Sequence, residues 1–288
     1  MSKPFQAFLW MFGAMISFSL MAVSGRELGG LLDTFEIMTY RSLIGMFIVL
    51  LIILYYKKLS EISASRLTLH FTRNLFHFIG QNLWFFAVVY IPLSQLFALE
   101  FSTPIWVAIL APLFLNEKLT FPRILVIFLG FVGILIVVRP DFLTIKPEVL
   151  AGALCAIGFA ITAITTKKLT STDSILCILF WLTIMQFLFG LICSGFDGFI
   201  DYPKGNEIFW VIIIGFCGLC AHFCITMALS LAPAIIVSPM EFLRLPLITM
   251  IGYFFYNESL DWYIFLGAFI VLIANIINIK FETSRIAN

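Results

Sequence analysis

Ten apolar stretches, each close to the length that crosses a bilayer, leave this chain few ways to fold. A hydrocarbon core about 30 Å thick needs about 20 apolar residues in a helix. On that ruler the spans fall near residues 6–23, 36–56, 69–90, 93–115, 121–138, 149–166, 175–195, 208–231, 234–256 and 262–280. Only 11% of the 288 residues are charged and 62% are hydrophobic, with a mean hydropathy of +1.09. A soluble domain carries about 25% charged residues, so this chain lacks the polar material to coat a water-facing surface. The sequence therefore predicts an all-α integral membrane protein with ten transmembrane helices.

Several connections are very short. Ile91-Pro92 joins spans three and four, and Ala232-Pro233 joins spans eight and nine. Proline suits these corners because it cannot donate the hydrogen bond that would continue a helix. Ala22-Val23-Ser24 imitates a signal-peptidase site, but the preceding apolar stretch exceeds the usual h-region of about 7–15 residues. Residues 6–23 are therefore expected to stay as the first helix. With the N-terminus inside, inner segments carry ten Lys and Arg residues and outer loops carry four (Arg26, Arg139, Lys146 and Lys204). The positive-inside rule then places both termini in the cytoplasm.

A net charge of +1 gives no basic field for nucleic acid. Without a P-loop, the sequence offers no sign of its own ATP hydrolysis. Cys217, Cys220 and Cys224 share a face of span eight, but a tetrahedral metal site needs a fourth ligand and His222 points elsewhere. No metal and no cofactor are expected, and all six cysteines read as small buried hydrophobes.

Shifting the chain by 141 residues brings Pro92 onto Pro233, Glu100 onto Glu241, Phe101 onto Phe242 and Asn116-Glu117 onto Asn257-Glu258. The domains are then a first repeat over 1–143 and a second over 144–288. Each holds five spans, an odd number, so the two enter the membrane from opposite sides. Such inverted five-helix repeats place transport sites near the midplane at the repeat interface.

The patches Pro92-Leu93, Ser102-Thr103-Pro104, Asn116-Glu117-Lys118-Leu119 and Gly130-Phe131-Val132-Gly133 before Arg139-Pro140 carry a resemblance. So do Pro239-Met240-Glu241-Phe242-Leu243-Arg244-Leu245 and Asn257-Glu258 in the second half. This pattern resembles the EamA family of the drug/metabolite transporter superfamily, and within it the branch labelled S-adenosylmethionine uptake transporters. The resemblance implies ten helices, alternating access and a central cavity. It also implies a multi-pass protein of the cell inner membrane.

An ionisable group at a helix centre costs about 2.5–3.5 kcal/mol on insertion scales, so intramembrane charges need partners or a polar cavity. Glu100 and Glu241 each lie eight residues beyond a corner proline, about 12 Å deep from opposite faces. Glu241 and Arg244 share a helix face and can neutralise each other. Thr103 occupies the position equivalent to Arg244, so Glu100 must find a partner elsewhere, stay protonated or meet a cationic solute. On span three, His70, Arg73, His77, Gln81 and Trp84 recur along one face and could bind a planar or zwitterionic solute. Arg73, about 6 Å from the cytoplasmic end, can snorkel to water. Arg41, early in span two, reads either as a snorkelling anchor or as a ligand for a substrate carboxylate.

The expected function is secondary transport of a small organic solute by alternating access. The solute could be S-adenosylmethionine or an amino-acid-like zwitterion, and the process uptake or exchange. Substrate-binding or coupling residues would be Glu100, His77, Gln81, Trp84, Arg41, Arg73, Glu241 and Arg244. The alternative is an intramembrane enzyme acting on a lipid or isoprenoid, which would cluster its acids and bases near one interface. Expected partners are a small-molecule solute and the lipid bilayer. Spans five and ten would brace the edges or join two copies in a homodimer.

Overall fold

The computed structural model describes residues 3–115, 121–138, 146–196, 198–233, 237, 240–241 and 244–287. The described residues are almost entirely helical. The first repeat contains α1 (Lys3–Leu28), α2 (Thr34–Tyr55), α3 (Leu67–Tyr90), α4 (Leu93–Glu100), α5 (Thr103–Leu115) and α6 (Phe121–Val138). The second contains α7 (Pro147–Leu169), α8 (Ile175–Ser194), α9 (Asn206–Leu231), α10 (Arg244–Tyr256) and α11 (Trp262–Ala287). Among the described residues, six stretches are long and apolar enough to cross a membrane: Phe5–Leu28, Thr34–Tyr55, Leu93–Leu110, Pro147–Leu169, Ile175–Ser194 and Asn206–Leu231. Large apolar side chains such as Phe47, Leu54, Phe128, Ile192, Phe216 and Phe269 stand exposed around the outside. An apolar surface of that extent is solvated by lipid.

The 141-residue shift reappears in the helix boundaries. It carries the start of α2 (Thr34) onto that of α8 (Ile175), and α6 (Phe121) onto α11 (Trp262). The same shift carries both ends of α5 (Thr103 and Leu115) onto those of α10 (Arg244 and Tyr256). Packing follows the same exchange. The principal contacts are α1 with α9, α3 with α7, α2 with α8, and α6 with α11. Swapping the repeats turns the first contact into the second and leaves the other two unchanged, as a two-fold relation between the halves requires. Small residues allow the closest approach. A Cβ on Gly158 of α7 would stand 2.7 Å from the Phe76 carbonyl oxygen and 3.0 Å from the Gly80 Cα of α3. On the other seam, one on Gly13 would meet the Cys224 sulfur at 3.1 Å.

Span four, expected to be continuous from 93 to 115, is broken. α4 stops at Glu100, Phe101 and Ser102 form a turn, and α5 begins at Thr103. Pro104 explains the break: the Glu100 carbonyl would accept from the N–H of residue 104, and proline has none. The Thr103 hydroxyl donates to that carbonyl instead, at 2.6 Å. Span nine lies partly outside the described residues: Met240 and Glu241 form a 3-10 turn, residues 242 and 243 are not described, and α10 begins at Arg244. The Asn116-Glu117 turn lies outside the described residues, whereas its counterpart Asn257-Glu258 is described.

Candidate functional site

The break between α4 and α5 exposes polar groups that a continuous helix would enclose. A cavity opens there, walled by α1, α3, α7 and α9, by the α4–α5 break and by Val237, Glu241 and Arg244. Phe18 and Phe159, Gln81 and His222, Trp84 and Ile225, and Glu100 and Glu241 all line it. Each of these pairs is separated by 141 residues, so the cavity lies between equivalent surfaces of the two repeats. Glu100 with Glu241 and Phe18 with Phe159 preserve the pair; Thr103 with Arg244, Gln81 with His222 and Met21 with Thr162 break it. The unmatched pairs give the two sides of the cavity different chemistry.

Arg244 is the centre of that asymmetry. Its Nη2 donates to Glu100 Oε1 at 2.6 Å and to Glu241 Oε2 at 3.5 Å. The Trp84 indole N–H takes the other Glu100 oxygen at 2.8 Å. The guanidinium also lies 4.4 Å from the centre of the Phe97 ring and 5.1 Å from that of Phe18, where ring faces favour a cation. Sequence spacing gave Arg244 to Glu241 as an internal pair. That pair is present at 3.5 Å, and a shorter bond of 2.6 Å runs between repeats to Glu100. The i,i+3 spacing holds Glu241 at the edge of hydrogen-bonding range, while the α4–α5 break turns Glu100 directly toward the arginine.

The reading of Arg73 is corrected. It does not snorkel: it is 1% exposed, with Nε donating to Thr166 Oγ1 at 3.2 Å and Nη1 to Asn74 Oδ1 at 2.7 Å. Among the described residues no carboxylate pairs with it. His77 sits edge-on to His222 with ring centres 4.5 Å apart. All four ring nitrogens of the two histidines, and Gln81 Nε2, are buried without a hydrogen-bond partner among the described residues. Buried polar atoms without partners are costly, and here they border the central cavity. His70 leaves the face that spacing assigned it: its Nε2 meets Asp173 Oδ2 at 3.0 Å, away from the cavity.

Arg41 is no surface anchor either. It is buried against Gly218, in a smaller pocket with Gln186 behind His222, and it does not line the central cavity. Thus Glu100, His77, Gln81, Trp84, Arg73, Glu241 and Arg244 come together, and Arg41 stands one layer out. Sequence reasoning missed His222, Phe18, Phe159 and Thr166 as lining residues. The repeat held the signal for two of the pairs, since the 141-residue shift lays His222 on Gln81 and Phe159 on Phe18. Thr166 gave no signal, because a threonine near a helix end is unremarkable until its neighbours are known.

The space between these groups is about 60 Å³, enough for a few waters. Sites that hold metabolites usually measure about 300–1,000 Å³. The described conformation is therefore contracted, and a solute requires the repeats to move apart.

Known proteins resemble the chain along nearly its whole length. It is 29% identical over 273 residues to the S-adenosylmethionine uptake transporter of Rickettsia bellii, covering 95% of this chain and 93% of that one. The protein of the same description from Rickettsia conorii is 28% identical over 263 residues, covering 91% and 88%. A riboflavin transporter of Vibrio cholerae is 27% identical over 296 residues, covering 98% and 95%. A solved crystal structure superposes with a TM-score of 0.70 at 14% identity, covering 98% of this chain and 99% of its own, and shows the shared fold. The EamA-like transporter family model matches twice, at residues 5–139 and 146–279. The cavity between two equivalent halves and this double match have one meaning: the chain belongs to the EamA-like transporter family.

Proposed function

We propose that the protein moves a zwitterionic metabolite with an additional positive centre, S-adenosylmethionine fitting best, across the bacterial inner membrane by alternating access. The observation that carries this reading is the unequal sharing of Arg244. Glu100 is occupied through both oxygens, whereas Glu241, among the described residues, is held at 3.5 Å and retains capacity for a cation. Across the cavity, Arg73 has no carboxylate among the described residues and can receive one from the solute. The His77, His222 and Gln81 edges suit the nitrogens of a heteroaromatic ring. S-adenosylmethionine carries two positive centres, a sulfonium and an ammonium, to face Glu241, a carboxylate for Arg73 and an adenine for the ring edges. Its name on relatives such as those of Rickettsia supports the choice. A neutral heteroaromatic such as riboflavin would use the ring edges but leave Glu241 and Arg73 unanswered.

The test is counterflow in proteoliposomes preloaded with unlabelled S-adenosylmethionine, riboflavin or amino acids. Saturable accumulation of labelled S-adenosylmethionine is expected. Movement of riboflavin or amino acids but not S-adenosylmethionine, by protein shown to be folded, would overturn the assignment.

On this reading the seam between repeats lies near residues 143 and 144, and both termini face the cytoplasm. The ten-to-four distribution of Lys and Arg supports that orientation. Cysteines placed at Ser2 and Asn288 should resist impermeant reagents applied to intact cells. Reaction of either from outside would reverse the topology.

A further inference from the structure

Arg26, in the last turn of α1, sits over the corner between α3 and α4. Its Nε donates to the Val88 carbonyl at 2.8 Å, its Nη2 bonds the Ile91 carbonyl, and its Nη1 pairs with Glu258. Glu258, in the turn between α10 and α11, also accepts the Leu93 N–H that begins α4, at 2.9 Å. One guanidinium and one carboxylate thus tie together α1, the α3–α4 corner and the α10–α11 turn.

On the opposite face, Lys167, in the last turn of α7, donates from Nζ to the Leu229 carbonyl at 2.7 Å and to the Ala232 carbonyl at 3.1 Å. The 141-residue shift carries Arg26 onto Lys167, Val88 onto Leu229 and Ile91 onto Ala232. The clasp is therefore built twice, with a different cation each time. The corner prolines explain why these carbonyls need it. In a helix the Val88 and Leu229 carbonyls would accept from residues 92 and 233, and both are prolines with no N–H to give. A cation at each corner supplies the missing donor.

The two clasps lie at opposite ends of the cavity. Below the outer corner hang Trp84 and Glu100, and above the inner one stand His222, Ile225 and Leu229. With both clasps formed, the cavity holds only about 60 Å³. Admitting a solute requires one corner to swing away. Besides the apolar packing of Val88, Ile91 and Leu93 at the outer corner and of Leu229 and Ala232 at the inner one, the clasps add polar contacts that water can replace.

We propose that Arg26 and Lys167 are paired gating residues of the transport cycle, each holding the helix corner of its own repeat shut at one membrane face. This rests on membership in a transporter family and not on which solute is carried. The test uses no solute. A Met21→Cys reporter on the cavity wall, with the six native cysteines replaced, is labelled by an impermeant maleimide from each face of oriented vesicles. Arg26→Gln is expected to speed labelling from the outer face about fivefold, and Lys167→Gln to do the same from the inner face. Arg26→Lys and Lys167→Arg should stay near the parent rate, because each installs the cation that the other repeat already uses. Glu258→Gln should follow Arg26→Gln, and it provides the outer-face reading if the arginine variant does not fold. A brace with no gating role would lower the melting temperature and leave the sidedness of labelling unchanged. That result in the folded variants, or equal acceleration at both faces, would overturn the proposal.

Discussion

Replacing Arg244 with methionine should cost about 3–5 kcal/mol of stability and abolish transport. The arginine is 1% exposed and is the described cation bonded to both midplane glutamates. Methionine would fill much of the space among Phe18, Phe97 and Phe101 but would leave two carboxylates facing each other in a low-dielectric interior. Thermal unfolding in detergent would show a melting temperature lower by roughly 10 °C. The cause can be isolated with the triple variant Arg244→Met, Glu100→Gln, Glu241→Gln, which removes all three charges together. Replacing a complete buried ion cluster with neutral groups is often close to neutral for folding. The triple variant should therefore regain most of the lost stability and still fail to transport. If the single variant melts with the parent, the two glutamates do not depend on Arg244, and the site has been misread.

How much of this was legible in the sequence depends on which interactions stay within a repeat. The apolar helices, the repeat and the pairing of Glu100 with Glu241 follow from local pattern and from a single shift of 141 residues. The break after Glu100 was legible too, in Ser102-Thr103-Pro104, because a proline always denies a hydrogen bond to the carbonyl four residues earlier. What spacing could not supply is the partner of a buried charge. The i,i+3 rule gives Arg244 to Glu241 since it sees one helix at a time, and the stronger bond crosses to the other half of the chain. Arg73 and Arg41 misled for a related reason. Their depth along the helix permitted snorkelling, and only the packing of α7 against α3, and of Gly218 against Arg41, shows that their route to water is closed. His222 was set aside when weighed against cysteines on its own helix. Its real neighbour is His77, on a helix of the other repeat.

The same crossing of the repeats decides which glutamate should handle the solute. Glu100 has both oxygens engaged, by Arg244 and by Trp84, and losing its charge would remove the shorter of the arginine's two carboxylate bonds. Glu241 has its described bond at 3.5 Å and can give it up without unmaking the cluster. Glu241→Gln is accordingly expected to raise the KM for S-adenosylmethionine about a hundredfold, the range for truncating one member of a desolvated charge pair. Its melting temperature should change little, because Arg244 keeps Glu100. The loss should depend on the solute's charge. S-adenosylhomocysteine, the neutral thioether analogue, lacks the sulfonium that Glu241 would face, so the parent protein should prefer the sulfonium compound and the variant should lose that preference. Glu100→Gln should behave differently: the freed arginine would turn fully to Glu241, giving a lower melting temperature together with impaired transport. Measuring KM for both solutes and melting temperatures for both variants separates the two roles. An unchanged sulfonium preference in Glu241→Gln would move the cation subsite away from Glu241 and leave that residue as a counter-charge to Arg244.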